Sequence, residues 1–272
     1  MLTRTVFYIS DQTGITAETL GHSLLTQFED VKFRAVTLPF IDTVDKAEEA
    51  YRRVNLTSDV EGSRPIVFST FVQDDLRDIV SQSNGLFLDF FDAFIGPLEK
   101  ELGSKSTHTT GKAHGVADSA NYSRRMEAVN FAVTNDDGAN VNGFSQAQVI
   151  LVGVSRCGKT PTCLYLALQH GVFAANYPLN EDDFEAGRLP RVLEENKDKL
   201  YGLTIEPARL QQIREERRPD SRYSSSRQVG FELRAADALY RKYGVPNLNT
   251  THTSIEEIAA KVMSHMHLKR YE

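Results

Sequence analysis

The segment Gly153-Val154-Ser155-Arg156-Cys157-Gly158-Lys159-Thr160 has the pattern G-x-x-x-x-G-K-[ST], and it follows the apolar run Val149-Ile150-Leu151-Val152. That order leaves few folds open: a buried strand delivers the chain to a tight turn that opens a helix, the connection from which α/β sheets are built. Main-chain N–H groups of such a turn curl around an anion, and the helix points the positive end of its dipole at it. The spacing predicts a strand over 147–152 and a helix with Pro161 in its first turn. Leu164, Ala167 and Leu168 share one face of that helix, and Gly171 stops it. In this frame Gly153, Val154, Ser155, Arg156, Cys157 and Gly158 wrap a nucleotide's phosphates, Lys159 reaches the terminal ones, and Thr160 ligates Mg²⁺. The plainer alternative is a glycine-rich turn with an exposed lysine. It leaves unexplained why glycine, lysine and a hydroxyl residue fall together at this point.

The rest of the chain alternates in the same way. Strands are expected over 5–10, 33–38 and 65–69, and helices over 15–28, 44–54, 74–81 and 87–102. Residues 103–121 are rich in Ser, Thr, Gly and His, with little to bury, and read as a linker. Helical spacing resumes over 122–133, and Asn135-Asp136-Asp137-Gly138 is a strong turn. Beyond the motif, strands are expected over 172–177, 200–205 and 246–249, and helices over 207–218, 230–243 and 254–267. This predicts an α/β protein of two parts with mainly parallel sheets: an amino-terminal α/β domain over 1–104, a linker and connecting helix over 105–145, and a carboxyl-terminal domain over 146–272 carrying the phosphate loop, with the active crevice near their junction.

Composition narrows the partners. A formal net charge of −6 over 272 residues argues against a dedicated nucleic-acid binder. No apolar run approaches the length that spans a bilayer, and Thr3, Arg4, Asp11 and Glu18 interrupt any early targeting segment, so a cytoplasmic protein is expected. Two cysteines, Cys157 and Cys163, suit neither a disulfide framework nor a zinc site. Cys157 at a helix start would be reactive if its thiol pKa were lowered, or simply a small filler of a tight loop.

Several other residues could carry chemistry. Ser10-Asp11-Gln12-Thr13-Gly14 also lies between a strand and a helix, at the carboxyl end where open α/β sheets place ligands. Asp11 suits a general base or a magnesium-shell carboxylate, and Ser10 and Thr13 suit phosphate donors; all three equally suit a turn or a helix cap. Ser69 and Thr70 follow the third strand and would line the same crevice, or are ordinary hydroxyls at a strand end. His108 and His114 fall in the linker, as proton carriers or as solvated loop residues. Asp136 and Asp137 resemble a metal-binding pair but lack the remaining spacing of a calcium loop, which favours a turn. Arg209, Arg214, Arg217, Arg218, Arg222 and Arg227 are partly balanced by Glu215, Glu216 and Asp220, and 220–227 reads as a mobile loop offering guanidinium groups to phosphate or an acidic partner.

With these segments laid out, the chain resembles the phosphoenolpyruvate synthase regulatory protein family along nearly its whole length. The resemblance is carried by Phe7-Tyr8-Ile9-Ser10-Asp11, Ile15-Thr16-Ala17-Glu18, Leu20-Gly21-His22, Asp136-Asp137-Gly138, the loop with Pro161, Ala175-Asn176-Tyr177-Pro178, Gly202-Leu203-Thr204-Ile205 and Ile213-Arg214-Glu215-Glu216-Arg217. The related regulators of pyruvate, phosphate dikinase carry Thr-Ser where this chain has Cys157-Gly158, which points to the synthase branch. The resemblance implies two activities. One is phosphorylation of a synthase threonine with ADP as donor, which inactivates the synthase. The other removes that phosphate to inorganic phosphate with release of pyrophosphate. On the residues themselves, Lys159 is expected to stabilise the transition state, Asp11 to assist the target hydroxyl, and Mg²⁺ to accompany the nucleotide. A homodimer is the default expectation for such an enzyme. A small-molecule kinase using ATP, and a nucleotide-sensing module without chemistry, remain the alternatives.

Overall fold

The computed structural model describes residues 2–107 and 119–271, so His108 and His114 lie outside the described residues. The chain divides into two compact units, Met1–Gly115 and Val116–Glu272.

The first unit alternates strictly: β1 (Leu2–Ser10), α1 (Ile15–Leu25), β2 (Val31–Leu38), α2 (Val44–Glu61), β3 (Ile66–Thr70), α3 (Asp74–Ser81), β4 (Leu86–Asp89) and α4 (Phe90–Leu102). All pairings are parallel, in the order β2-β1-β3-β4. The two-residue period of β1 sends Phe7 and Ile9 into one core with Ala47, Val54, Val67 and Leu76, and Val6 and Tyr8 into another with Ala17, Leu25 and Phe68. A strand buried on both faces is what helices on both sides of a parallel sheet require. Two expectations shift here. Helix α2 runs on to Glu61, where Gly62 ends it in the left-handed region at φ 59°. The stretch expected as one helix over 87–102 is split, because Leu86–Asp89 pairs with β3 before α4 begins. Its apolar residues fit either period, and the free edge of β3 decides between them. Asp89 then caps α4 by accepting from the Asp92 N–H at 2.8 Å.

The second unit comprises α5 (Ser119–Thr134), two short 3₁₀ turns (Asp136–Gly138 and Val141–Gln146), β5 (Val149–Gly153), α6 (Lys159–His170), β6 (Ala174–Pro178), α7 (Glu181–Ala186), α8 (Arg191–Glu194), β7 (Leu200–Thr204), α9 (Pro207–Arg217), α10 (Ser226–Tyr243), β8 (Asn247–Asn249) and α11 (Ile255–His265). Its sheet, order β6-β5-β7-β8, is again wholly parallel. Helix α5 contributes Ala128 and Ala132 to this unit's core, beside Ile150, Leu166 and Val172. The short helices α7 and α8 have too few residues to show a period in sequence, and only Asn180, capping α7 reciprocally with Asp183, marks one of them. The arginine-rich 220–227 segment is anchored: Ser221 caps a 3₁₀ turn at Arg222–Ser224, and Ser225 caps α10 directly after it. No described helix is long and apolar enough to cross a membrane.

Candidate active site

In the second sheet β5 lies between β6 and β7, so the chain leaves β5 at the point where the strand order reverses, the place outside the carboxyl ends of the strands where open α/β sheets bind ligands. The 153–160 loop occupies that point. All five residues of β5 are buried, and α6 begins at Lys159. Gly153 has no room for a side chain: a Cβ there would lie 2.5 Å from the Leu203 carbonyl oxygen and 2.9 Å from Cys157 Sγ. Arg156 (φ 76°) and Gly158 (φ 95°) are left-handed, while Ser155 and Cys157 between and before them are not. Alternating the sign of φ turns successive N–H groups toward one side, the geometry of an anion-binding concavity. The N–H groups of Ser155, Arg156 and Gly158 donate to no acceptor among the described residues, and they stand at the positive end of α6. An anionic group fits this donor set.

The Lys159 side chain is only 4% exposed, and its Nζ donates to the Val154 carbonyl at 2.9 Å. An ammonium carries three donors, so two remain for an anion. Burial pushes the Cys157 thiol up, against a smaller lowering by Lys159, so this cysteine is an unreactive filler of the loop. Cys163, also buried, is pushed up by the same cause and donates to the Ala175 carbonyl at 3.4 Å.

The loop is braced from behind by residues whose role spacing did not reveal. The Arg214 guanidinium, completely buried, donates to the Ser155 carbonyl at 3.1 Å, to the Tyr223 carbonyl at 3.2 Å and to Glu232 at 2.7 Å. The Tyr223 ring lies 4.2 Å from that guanidinium, and its hydroxyl meets Ser155 Oγ at 3.0 Å. The Tyr240 hydroxyl lies 3.0 Å from the Val152 carbonyl and 3.1 Å from that of Leu203, its one proton shared between them, and the Thr250 hydroxyl lies 3.1 Å from the Cys157 carbonyl. Arg214 and Tyr223 thus serve the loop from within the arginine-rich stretch, while Arg222 pairs with Glu181.

Thr160 donates its hydroxyl to Asp136 Oδ1 at 2.8 Å. The turn residue Asp136 is therefore beside the hydroxyl expected to meet a metal ion, a placement that the sequence reading did not favour. The described residues contain no cluster of three or more His, Cys, Asp or Glu side chains able to hold a metal by themselves. A hydroxyl and one carboxylate fit Mg²⁺, which takes few protein ligands and completes its shell with water and phosphate oxygens.

At the corresponding point of the first sheet, between β1 and β3, Asp11 is 2% exposed and accepts from the Val72 N–H at 2.9 Å, while its Oδ1 is buried without a partner among the described residues. Burial pushes its carboxyl above the usual carboxylate range; main-chain N–H groups of Val72 and Gln73 oppose the shift and the charge of Asp89 adds to it. Ser10 and Thr70 bond to each other at 3.1 Å, and Ser69 donates to Asp89 at 2.6 Å. These hydroxyls tie strand ends together, and Asp89 joins them without having been anticipated. Thr13 carries no hydrogen bond among the described contacts, and Gly14, left-handed at φ 77°, stands before α1.

Comparison with known proteins gives one consistent result. The model of a family described as kinase/pyrophosphorylase matches residues 6–263. Proteins from Pseudomonas savastanoi pv. phaseolicola, Pseudomonas putida and Stutzerimonas stutzeri are each 54% identical over 260 residues, covering 96% of this chain and 96% of theirs. Each carries the provisional name phosphoenolpyruvate synthase regulatory protein.

Proposed function

The chain belongs to the kinase/pyrophosphorylase family, and from that premise we propose that it switches phosphoenolpyruvate synthase off and on by moving one phosphoryl group at a threonine. In the inactivating direction the threonine oxygen bonds to the β-phosphorus of ADP, the bridge to the α-phosphate breaks, AMP leaves with the bridging oxygen, and the hydroxyl proton passes to a base. In the activating direction an oxygen of inorganic phosphate bonds to the phosphothreonine phosphorus, the threonine oxygen leaves and takes up a proton, and pyrophosphate is released. Both directions hold a transferring phosphoryl group between two oxygens, so one cradle serves both.

The observation that carries this reading is the 153–160 turn itself, with N–H groups that have no acceptor among the described residues and a buried ammonium at the start of α6. Those N–H groups hold the diphosphate, and Lys159 offsets the charge that spreads over the transferring group's oxygens. Mg²⁺, held by Thr160 with Asp136 behind it, would supply further neutralisation of the phosphate oxygens. Asp11 is the proposed proton acceptor, since a carboxyl raised by burial is closer to the pKa a general base needs.

The test is incubation with purified synthase and ADP, mass analysis of the synthase threonine, and measurement of AMP, followed by addition of phosphate and measurement of pyrophosphate. Lys159→Ala is expected to lower both activities by about 10² or more, as loss of a main donor to transition-state charge does. Unchanged rates in either direction would refute the shared cradle, and an unmodified threonine would refute the kinase reading.

A further inference from the structure

The turn at Asp136–Gly138 is held more firmly than a connection requires. Asn176, fully buried in β6, donates through Nδ2 to Asp136 and accepts through Oδ1 from the Asp137 N–H at 3.1 Å, while its own N–H reaches the Asn135 carbonyl at 3.4 Å. Asp137 adopts φ 47°, and a Cβ on Gly138 would lie 3.0 Å from the Tyr177 ring, so the turn is pressed against β6. The product of these constraints is one carboxylate aimed at one hydroxyl, Asp136 Oδ1 accepting from Thr160 Oγ1 at 2.8 Å.

We propose that Asp136 is the positioning carboxylate of a divalent-cation site at Thr160. By accepting the hydroxyl proton it leaves the Thr160 oxygen lone pairs available to a cation, and its charge, added beside a ligand that is itself neutral, raises cation affinity. Oδ1 takes both recorded donors, from Thr160 and Asn176, and Oδ2 has no partner among the described contacts, so the carboxylate also keeps an oxygen for the ion or for one of its waters. Asn176 acts one step further out, fixing the carboxylate as outer partners fix metal ligands. The inference rests on the nucleotide-binding reading above, and it adds the source of that site's negative charge.

The experiment uses the full chain freed of metal by chelation. Calorimetry measures ADP binding without metal, and electron paramagnetic resonance of Mn²⁺ measures cation affinity with ADP present. Asp136→Ala is expected to lower Mn²⁺ affinity in the ADP complex by about 10-fold to 100-fold, with metal-free ADP affinity within about twofold of the parent and an unchanged circular dichroism spectrum. Asp136→Asn, which keeps an oxygen for both donors but not the charge, should fall between, and Thr160→Val combined with it should lose less than the sum of the two single effects. Mn²⁺ affinity within twofold of the parent in Asp136→Asn and Asp136→Ala overturns the proposal. So does an equal loss of metal-free ADP binding, which marks a merely structural residue. Should Asp136→Ala fail to fold, the Asn variant and its cycle with Thr160→Val decide the matter. A parent that binds no ADP with or without Mn²⁺ overturns the nucleotide reading itself, a result distinct from the other two.

Discussion

Replacing Glu232 with Gln should destabilise the second unit far more than an ordinary ion-pair change, because of what it leaves behind. The Arg214 guanidinium is 0% exposed and Glu232 13%, their separation is 2.7 Å, and Arg214 Nε already lacks a partner among the described residues. The glutamine oxygen can still accept from Arg214, so geometry survives and only the neutralising charge is lost. Breaking a buried pair by removing one partner costs about 3–5 kcal/mol. With Glu232 slightly open to water the lower end applies, so about 3 kcal/mol is expected. A urea slope of about 1–3 kcal/mol per molar turns that into a midpoint about 1–3 M lower, read by far-ultraviolet circular dichroism. The shift should persist in 0.5 M salt, since buried pairs are poorly screened. Asp237→Asn is the control: its partner Arg241 is 80% exposed and Asp237 47%, and such surface pairs contribute about 0–1 kcal/mol. A Glu232→Gln midpoint no lower than that of the control would refute the argument that Arg214 is a desolvated cation needing a counterion.

Two further outcomes follow from the same structure. Asp11 holds its proton to higher pH in the folded protein than in the unfolded chain, so its ionisation lowers stability as pH rises from the ordinary carboxylate value through the raised one. Asp11→Asn should therefore gain on the parent between pH 4 and pH 7 in urea midpoint; an equal difference at both pH values refutes the raised pKa, and a kinase rate within a factor of two of the parent rules Asp11 out as base. Gly153→Ala forces a methyl against the Leu203 carbonyl oxygen, at an expected cost of about 1–3 kcal/mol. A thermal midpoint within about 1 °C of the parent, where each kcal/mol is worth about 2–4 °C, would show that the loop has slack.

The 153–160 loop was legible because its signal is local. Glycine, lysine and threonine at fixed offsets after an apolar run specify a turn whichever neighbours surround it, and the structure puts that turn between β5 and α6. The alternating elements were legible for the same reason, apart from α7 and α8, too short to show a period, and β4, where a four-residue segment carries too little period to choose between helix and strand and the open edge of β3 chose for it. Arg214 looked like one cation among several on a charged helix, and only packing shows it buried under Tyr223 and bound to the loop.

Sequence alone therefore determined the class of fold, the strand-to-helix turn and its lysine, since each depends on residues within one or two turns of one another. Tertiary structure alone decided which side chains stand behind that turn. Asp136 meets Thr160, and Asn176 meets Asp136, only after β6 has paired beside β5 and α5 has packed on α6. Contacts across such separations are fixed by where the sheet places its strands, and no spacing along the chain encodes them.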